Sequence, residues 1–188
     1  MVRPLLEIRE LRAGYGQPVV GPLSLSLRPG EVLGLAGPNG CGKSTVLKAL
    51  VGAARCFGGS VQRAADLRIA YQCQHDDGLE ELPLNGGELL RLMQAGQAPL
   101  PARLQALLRT RLDRLSGGQR QLLMVWAALG HPAPLVLLDE PTNNLDPPGI
   151  ELLAQRLQTL EPGRAALVVS HDSAFLQRVC HRVCELTA

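Results

Sequence analysis

The amino-acid sequence predicts an α/β fold with a parallel sheet core, an antiparallel β part near the N-terminus and a short helical insertion. Residues 135–138 and 165–169 are apolar throughout and of strand length, which is typical of central parallel strands buried on both faces. Segments with helical patterning alternate with these strands, as they do around a parallel sheet. Near the N-terminus, leucine alternates with serine over residues 23–27, which indicates a strand with one buried face.

The composition fits one globular domain that spans residues 1–188. With 46% hydrophobic and 19% charged residues, the chain can bury a sizeable core. A formal net charge of +2 provides no bulk attraction to nucleic acids, so direct nucleic-acid binding is not expected. The apolar runs are too short to span a bilayer, and charge within the first apolar turn argues against a signal peptide. We expect a cytoplasmic location.

Residues 1–77 are predicted to contain five strands and one helix. The predicted strands are residues 5–11 (as an edge strand), 19–27, 32–36, 60–63 and 67–71. The helix is expected to follow a glycine-rich turn and to run to about Ala54, where residues 56–60 end it. Residues 72–77 are predicted to form a polar loop.

The remaining elements alternate between helix and strand. Residues 83–130 are predicted to form the helical insertion, which is leucine-rich and is interrupted by glycine and proline. Its last helix is expected to reach about Leu129. Pro147 or Pro148 suits the first turn of a further helix through Leu160. The final helix is predicted from about Ser173 to Cys184.

A glycine-rich turn between the third strand and the first helix fits the pattern G-x-x-x-x-G-K-[ST]. Its glycines let backbone N–H groups surround an anion, and the helix N-terminus behind them adds further donors. Lys43 is expected to reach the outer phosphates, and the Ser44 hydroxyl to bind Mg²⁺. The turn therefore predicts a P-loop that binds a nucleoside triphosphate, and it leaves open what the nucleotide is used for. It consists of Gly37, Pro38, Asn39, Gly40, Cys41, Gly42, Lys43, Ser44 and Thr45.

Three further polar residues follow predicted buried strands. Asp139 and Glu140 end one strand, and His171 follows the end of another. Because ligands of parallel α/β sheets bind beyond the carboxyl ends of the strands, these residues are expected to meet the phosphate-binding turn. Asp139 is predicted to hold Mg²⁺, Glu140 to act as general base, and His171 to contact the γ-phosphate.

A second candidate for anion binding lies at the start of a later helix. Two glycines there expose N–H donors, and a serine can cap the helix. The residues are Ser116, Gly117, Gly118 and Gln119. Local chemistry alone does not connect this second cradle to the first.

The five cysteines contain no C-x-x-C pair, so a disulfide framework is not predicted. Cys180, His181 and Cys184 could suggest a metal site, but small buried side chains on the last helix are the favoured interpretation. Cys41 lies at a helix N-terminus, a position where cysteines are often reactive, so a reactive thiol is predicted.

Taken together, these motifs make the chain resemble the ATP-binding cassette (ABC) ATPase family over essentially its whole length. Residues 37–45 match the Walker A motif, and residues 135–140 match Walker B with its catalytic glutamate. Residues 115–119 are identical to the family's Leu-Ser-Gly-Gly-Gln signature, which other P-loop proteins lack. Residues 144–146 match the D-loop, and His171 matches the switch histidine.

The resemblance implies roles that the residues alone do not establish. Tyr15 is expected to stack on adenine, and Gln74 to sense Mg²⁺ and the γ-phosphate from the Q-loop. Asp146 is expected to belong to the nucleotide site through the D-loop. The resemblance also implies a head-to-tail homodimer, in which residues 116–119 of one subunit cover the ATP held on the Walker motifs of the other.

The chain departs from the family pattern in its helical insertion. The insertion is short. In the family, the corresponding helical subdomain contributes to the groove where membrane partners dock. The helix after the signature usually carries arginines. Leu122 and Ala127 stand at those positions here, and Trp126 is unusual.

Three functions are compatible with these motifs. The favoured one is the ATP-binding subunit of a transporter, held on the inner face of the membrane by separate membrane-spanning subunits. Residues 67–71 and 82–84 look somewhat like the metal-ion importer ATPases. The alternative is a ribosome-associated ATPase of the ABC-F type, which residues 141–146 and 170–176 resemble. A non-hydrolysing scaffold is disfavoured because Glu140 and His171 are both present.

Overall fold

The computed structural model describes residues 3–74, 78, 82–95 and 100–186. Within these ranges the chain forms two sheets and six α-helices. The strands are β1 Leu6–Gly14, β2 Pro18–Leu27, β3 Val32–Ala36, β4 Arg55–Arg63, β5 Ile69–Gln72, β6 Leu135–Asp139, β7 Ala165–Val169 and β8 Arg182–Glu185. The helices are α1 Lys43–Leu50, α2 Gly86–Leu92, α3 Ala102–Gln105, α4 Gly117–Gly130, α5 Pro147–Gln158 and α6 Ser173–Val179.

The larger sheet is parallel and has the strand order β5-β6-β7-β3-β8. Every residue of β3, β6 and β7 is buried, as the unbroken apolar runs predict. Val169 lies opposite Asp139 on one side and opposite Leu35 on the other, so the carboxyl ends of the three strands are aligned. The predicted α/β fold class is confirmed, and this aligned edge positions the candidate site.

The smaller sheet is antiparallel, with β1 in the middle of the order β2-β1-β4. The prediction of an edge strand for residues 5–11 is therefore wrong. The reason is the length of β4, which begins at Arg55 and pairs with β1 down to Gly14. Its glycines hide a strand pattern in the sequence, because glycine is depleted in strands.

Three apolar clusters hold these layers together. One lies between the antiparallel sheet, α1 and one face of the parallel sheet, and it includes Leu33, Leu35 and Leu47. A second lies on the opposite face, where α4, α5 and α6 cover the parallel sheet. The third belongs to the helical insertion, and it contains the side chains of Leu122 and Trp126. Since α4 contributes to the second and third clusters, it joins the insertion to the sheet.

The helical insertion contains α2, α3 and a one-turn 3-10 helix at Leu112–Arg114 before α4. Leu122 and Ala127, which stand where the family commonly has arginine, are buried in its cluster. Residues 96–99 of the insertion and residues 75–77 of the predicted polar loop lie outside the described residues. In the described ranges no helix is long and apolar enough to cross a bilayer.

The C-terminal part corrects the predicted final helix. The helix ends at Val179, Cys180 is extended, and residues 182–185 pair with β3 in parallel. His181 anchors the residue before this strand to β3, because its backbone N–H donates to Val32 O at 2.8 Å and its Nδ1 accepts from Val32 N at 3.0 Å. Gly34 makes room for the strand, since a Cβ there would lie 3.1 Å from Cys180 Sγ. Among the described residues, no group of three potential ligands could hold a metal ion.

Arg164 fastens the C-terminal end of α4 to the start of β7. Its guanidinium donates to the carbonyls of Leu129 at 2.7 Å, His131 at 2.9 Å and Ala133 at 3.1 Å. It also pairs with Glu161 at 3.1 Å. A charged donor thus satisfies carbonyls that the helix end leaves without a partner.

Candidate functional site

The glycine-rich turn links β3 to α1 at the aligned edge of the parallel sheet. Gly40 and Gly42 have positive φ values of 83° and 96°, which side chains other than glycine rarely adopt. Gly42 is the N-cap residue of α1 and has no side chain that could accept a hydrogen bond. The first N–H groups of the helix therefore receive no acceptor from it. This arrangement is the anion cradle that the sequence predicts.

A cavity of about 400 Å³ opens over this turn. Its walls include both parts of the predicted site, the turn itself and the strand-end residues. The predicted residues that line it are Asn39, Gly40, Gly42, Lys43, Ser44, Thr45, Gln74, Glu140 and His171. The structure therefore brings the Walker A turn, the Q-loop glutamine, the Walker B glutamate and the switch histidine to one place.

Lys43 is 6% exposed and curls back over the turn. Its Nζ donates to Gly37 O at 2.8 Å and to Pro38 O at 3.0 Å. Gly37 and Pro38 thus hold the ammonium group beside the N–H groups of the cradle. A fixed positive charge and a set of backbone donors at one point suit a polyphosphate.

Asp139 lies beneath the cavity and is 1% exposed. Ser44 Oγ donates to its Oδ1 at 2.8 Å, and Tyr71 OH donates to its Oδ2 at 3.3 Å. Burial raises the pKa of Asp139, and the hydrogen bonds from Ser44 and Tyr71 oppose that rise. Burial and the Asp139 charge both raise the pKa of Tyr71. The hydroxyl of Ser44 and the carboxylate of Asp139 are hard oxygen ligands, and this donor set fits Mg²⁺.

Glu140 follows directly and is 5% exposed. Its Oε2 lies 2.8 Å from Nδ1 of His171 and accepts from the His171 N–H at 3.3 Å. The backbone N–H of Glu140 donates to Val169 O at 2.8 Å, which ties the residue to β7. The buried carboxylate of Glu140 thus meets the side chain of His171, which is 55% exposed, at the cavity wall. This pair can hold a water molecule and take its proton.

Other predicted residues lie outside the cavity wall. Tyr15 is 52% exposed, on the turn between β1 and β2. Asp146 is the N-cap of α5, and it pairs with Arg103 at 2.6 Å. The hydrogen bond from Arg103 lowers the pKa of Asp146.

The signature residues form a separate feature at the start of α4. Ser116 Oγ accepts from Gln119 N at 3.2 Å, and Gln119 Oε1 accepts from Ser116 N at 3.0 Å. This capping box gives the helix a defined first turn. A Cβ on Gly117 would meet no atom within 4 Å, so the backbone of this turn is open on that side. Residues 116–119 do not line the cavity of their own subunit in the described part of the chain.

Cys41 does not occupy the accessible place that a reactive thiol needs. Its side chain is 9% exposed and belongs to the first apolar cluster, below the turn. It packs under Gly37, because a Cβ on that glycine would lie 2.8 Å from Cys41 Sγ. The expectation of a reactive thiol from the helix N-terminus omitted this burial.

Sequence reasoning missed three residues around the site. Val19 and Asn143 line the cavity, and Tyr71 binds Asp139. Asn143 had a signal, since it is a polar residue just beyond a strand end. The contact of Tyr71 required the knowledge that β5 lies beside β6, which periodicity does not contain.

The similarity of the chain to known proteins agrees with this geometry. The family model described as ABC transporter matches residues 20–143. Zinc import ATP-binding protein ZnuC of Roseobacter denitrificans is 35% identical, over 95% of this chain and 74% of that protein. A solved ATP-binding subunit of an ABC transporter matches with a TM-score of 0.82 at 30% identity, over 97% of this chain and 85% of that one.

A solved archaeal ribosome recycling factor is also similar in structure, with a TM-score of 0.85 at 26% identity. The match covers 100% of this chain but only 38% of that one. The similarity to ATP-binding proteins of transporters thus extends over most of both chains. The family match spans the P-loop, the signature and the Walker B strand. The chain belongs to the ABC transporter family and is an ATP-binding ATPase of that family.

Proposed function

We propose that the chain hydrolyses Mg-ATP in the cavity over residues 37–45, and that this hydrolysis drives metal-ion import through separate membrane-spanning subunits. The observation that carries the hydrolytic part is the 2.8 Å contact between Glu140 and His171 beside the phosphate-binding turn. It supports a base and a γ-phosphate ligand at the same wall of one cavity.

The turn binds the triphosphate through its own backbone. N–H groups of residues 40–45 surround the β- and γ-phosphates, and Lys43 neutralises part of their charge. Asn39, Gly40 and Thr45 shape the cavity wall around them. Tyr15 contributes an aromatic face for adenine from the turn between β1 and β2.

Ser44 and Asp139 would hold Mg²⁺, together with Gln74 from the Q-loop. The 2.8 Å bond between Ser44 and Asp139 supports this assignment, because it places two hard oxygen ligands side by side. When bound there, Mg²⁺ would supply positive charge that offsets the negative charge of the phosphates. The hydroxyl groups of Tyr71 and Ser44 orient the Asp139 carboxylate through their hydrogen bonds.

Glu140 takes the proton of the attacking water, and the water oxygen forms the new bond to the γ-phosphorus while the bond to the ADP oxygen breaks. His171 engages Glu140 through Nδ1, so its Nε2 is the ring nitrogen directed to the γ-phosphate. The low exposure of Glu140 strengthens its interaction with the water proton, because burial lowers the local dielectric.

A second copy of the chain completes the site. Residues 116–119 form the N-terminus of α4, which is open on the side of Gly117. They do not line the cavity of their own subunit. Such a terminus binds anions, so its natural ligand is the γ-phosphate held by a partner subunit. ATP then stabilises the closed homodimer, and hydrolysis releases it. Asp146 and its neighbours in the D-loop lie at the same contact.

The proposed cargo and location follow from the relatives. Proteins that are 33–37% identical over most of this chain are named zinc import ATP-binding proteins. We therefore assign a divalent metal ion, zinc foremost, as the imported substrate, and the inner face of the cell membrane as the location. The ribosomal alternative has weaker support, since the match to the ribosome recycling factor covers only 38% of the length of that factor.

Uptake of radioactive zinc tests the proposal in cells from which the gene for this chain has been deleted. The native chain is expected to restore uptake at low external zinc, and the Lys43→Ala variant is expected not to. A chain with the Gln158→Leu substitution is the control, because the Gln158 side chain donates to Arg178 O between the outer helices α5 and α6. Equal zinc uptake with and without the native chain would exclude zinc as the cargo. Unchanged ATP hydrolysis by the Lys43→Ala variant would exclude the proposed cavity.

A further inference from the structure

The loop between β6 and α5 carries Glu140 in a conformation that side chains seldom adopt. Glu140 has φ +49° and Asn144 has φ +62°, and both lie in the left-handed region. A non-glycine residue remains there only where its surroundings hold it. The carboxylate of Glu140 therefore depends on whatever fixes the backbone of this loop.

Part of that support lies within the loop and the sheet. Glu140 N donates to Val169 O at 2.8 Å, and Asn143 N donates to Glu140 O at 3.2 Å. Leu145 N donates to Thr142 O at 3.1 Å. The first bond ties the loop to β7 and the other two close local turns, but none of the three connects the loop to the helical insertion.

Arg103 of α3 pairs with Asp146 at the far end of the loop, and the start of the loop is held by Gln121, in the second turn of α4. Its Nε2 donates to Glu140 O at 3.4 Å and to Pro141 O at 3.3 Å. The side chain is 8% exposed, so the amide has little water to bind in place of these carbonyls. One buried donor group thus spans the two residues that follow Asp139.

Gly118 makes a second contact from the same face of α4. Residues three apart on a helix are neighbours on its surface, so Gly118 and Gln121 point the same way. A Cβ on Gly118 would overlap the carbonyl oxygen of Asn144. The first two turns of α4 therefore touch both ends of the loop, one through a hydrogen bond and the other through close backbone approach.

We propose that Gln121 is a positioning residue that fixes the backbone of Glu140, and that it makes the first turns of α4 and the catalytic loop move as one body. This inference rests on the proposed function where it concerns catalysis. In the proposed homodimer, the same rigid unit carries the base of one ATP site and the signature cover of the other. A displacement of residues 116–119 is then transmitted to Glu140 without passing through the sheet.

Gln121→Met tests the bracing, since methionine keeps the length of the side chain and has no N–H donor. Hydrogen exchange is measured on the nucleotide-free chain at the amides of Asn143 and Leu145. We expect exchange at both amides to become about tenfold faster, because each bonds within the loop that Gln121 holds. Gln158→Met is the matched control, because it removes a hydrogen bond from a glutamine side-chain amide to a backbone carbonyl, Arg178 O, outside the loop.

The catalytic part is read from the kinetics of the same variants. We expect Gln121→Met to lower kcat about tenfold while the Kd for ATP stays within about twofold, since the cradle itself is untouched. Gln121→Glu, which keeps the shape and replaces the donor by an acceptor, is expected to behave in the same way. If both substitutions unfold the chain, hydrogen exchange of the native chain in mild denaturant tests the coupling instead. Residues 140–146 and the first two turns of α4 are expected to exchange at a common rate, and clearly different rates would overturn the proposal.

Exchange rates at Asn143 and Leu145 that equal those of the native chain would overturn the bracing. A parallel rise of Kd and fall of kcat would overturn the positioning role. Because the exchange measurement needs neither hydrolysis nor dimerisation, a failure of the proposed function leaves its result intact.

Discussion

Tyr71 and Asp139 share a hydrogen bond across two neighbouring strands, with Tyr71 OH donating to Asp139 Oδ2 at 3.3 Å. The opposite oxygen, Oδ1, accepts from Ser44 Oγ at 2.8 Å. Two hydroxyl groups therefore fix the plane of a carboxylate that is almost fully buried. Removal of a group that orients a metal ligand in this way typically lowers metal affinity about 10- to 100-fold.

Removal of the Tyr71 hydroxyl is predicted to weaken Mg²⁺ binding specifically. In Tyr71→Phe, Asp139 keeps its burial and loses one of the two bonds that oppose the rise in its pKa. We expect the Mg²⁺ concentration for half-maximal binding to rise about tenfold. Fluorescent ATP titrated with and without Mg²⁺ measures this effect, and affinity without Mg²⁺ is expected to stay unchanged.

Thr159→Val is the control for Tyr71→Phe. The Thr159 hydroxyl also donates to an oxygen, Gln155 O at 2.9 Å, but it lies at the end of α5. An equal loss of affinity in the presence and absence of Mg²⁺ would show that Tyr71 acts only on the general structure of the site.

Lys43→Ala is predicted to abolish nucleotide binding. The variant removes the charge that lies beside the cradle and the two bonds from Nζ to Gly37 O and Pro38 O. We expect the Kd for ATP to rise at least about a hundredfold. Calorimetric titration of ATP measures it, and Lys48→Ala, which removes the only other lysine of the chain, is the control. Native affinity in the Lys43 variant would refute the phosphate cradle.

The native chain is predicted to protect Cys41 from thiol reagents. Cys41 is buried in the first apolar cluster, whereas Cys56 is exposed on β4. Mass spectrometry after treatment with a maleimide is expected to find Cys56 modified and Cys41 unmodified, with ATP binding retained. Fast modification of Cys41 that ATP prevents would contradict the buried position.

Arg164→Ala is predicted to lower the free energy of unfolding by about 2–3 kcal/mol, because three carbonyls lose a charged donor. The side chain of Arg164 is only 14% exposed, so water replaces these bonds poorly. Urea denaturation measures the change. Arg9→Ala is the matched control, since Arg9 is 62% exposed and pairs with Glu7 at the surface. The control is expected to cost less than about 0.5 kcal/mol.

The sequence was sufficient for the parts of the site that local rules determine. A phosphate-binding turn is a contiguous pattern, and buried parallel strands place their following residues at one edge, so Lys43, Glu140 and His171 could be located together. The capping box of Ser116 and Gln119 is likewise a local pattern.

Tertiary pairing decided the parts that the sequence did not predict. Residues 179–184 are apolar at helical spacing, yet residues 182–185 form a strand because β3 has an edge for them to pair with. The glycines of β4 hid the partner that moved β1 to the centre of its sheet. The bonds of Tyr71 and Gln121 depend on which elements are neighbours, and no spacing along the chain encodes that.

In the proposed mechanism, ATP joins two copies of the chain and Glu140 starts the hydrolysis of the bound ATP. Light scattering of the Glu140→Gln variant tests it most directly, because that variant keeps the cradle and lacks the proton acceptor. With saturating Mg-ATP, the mass is expected to double from 20.1 kDa, and it is expected to return to that value when ATP is removed. A variant that binds ATP and remains at 20.1 kDa would contradict the ATP-joined homodimer.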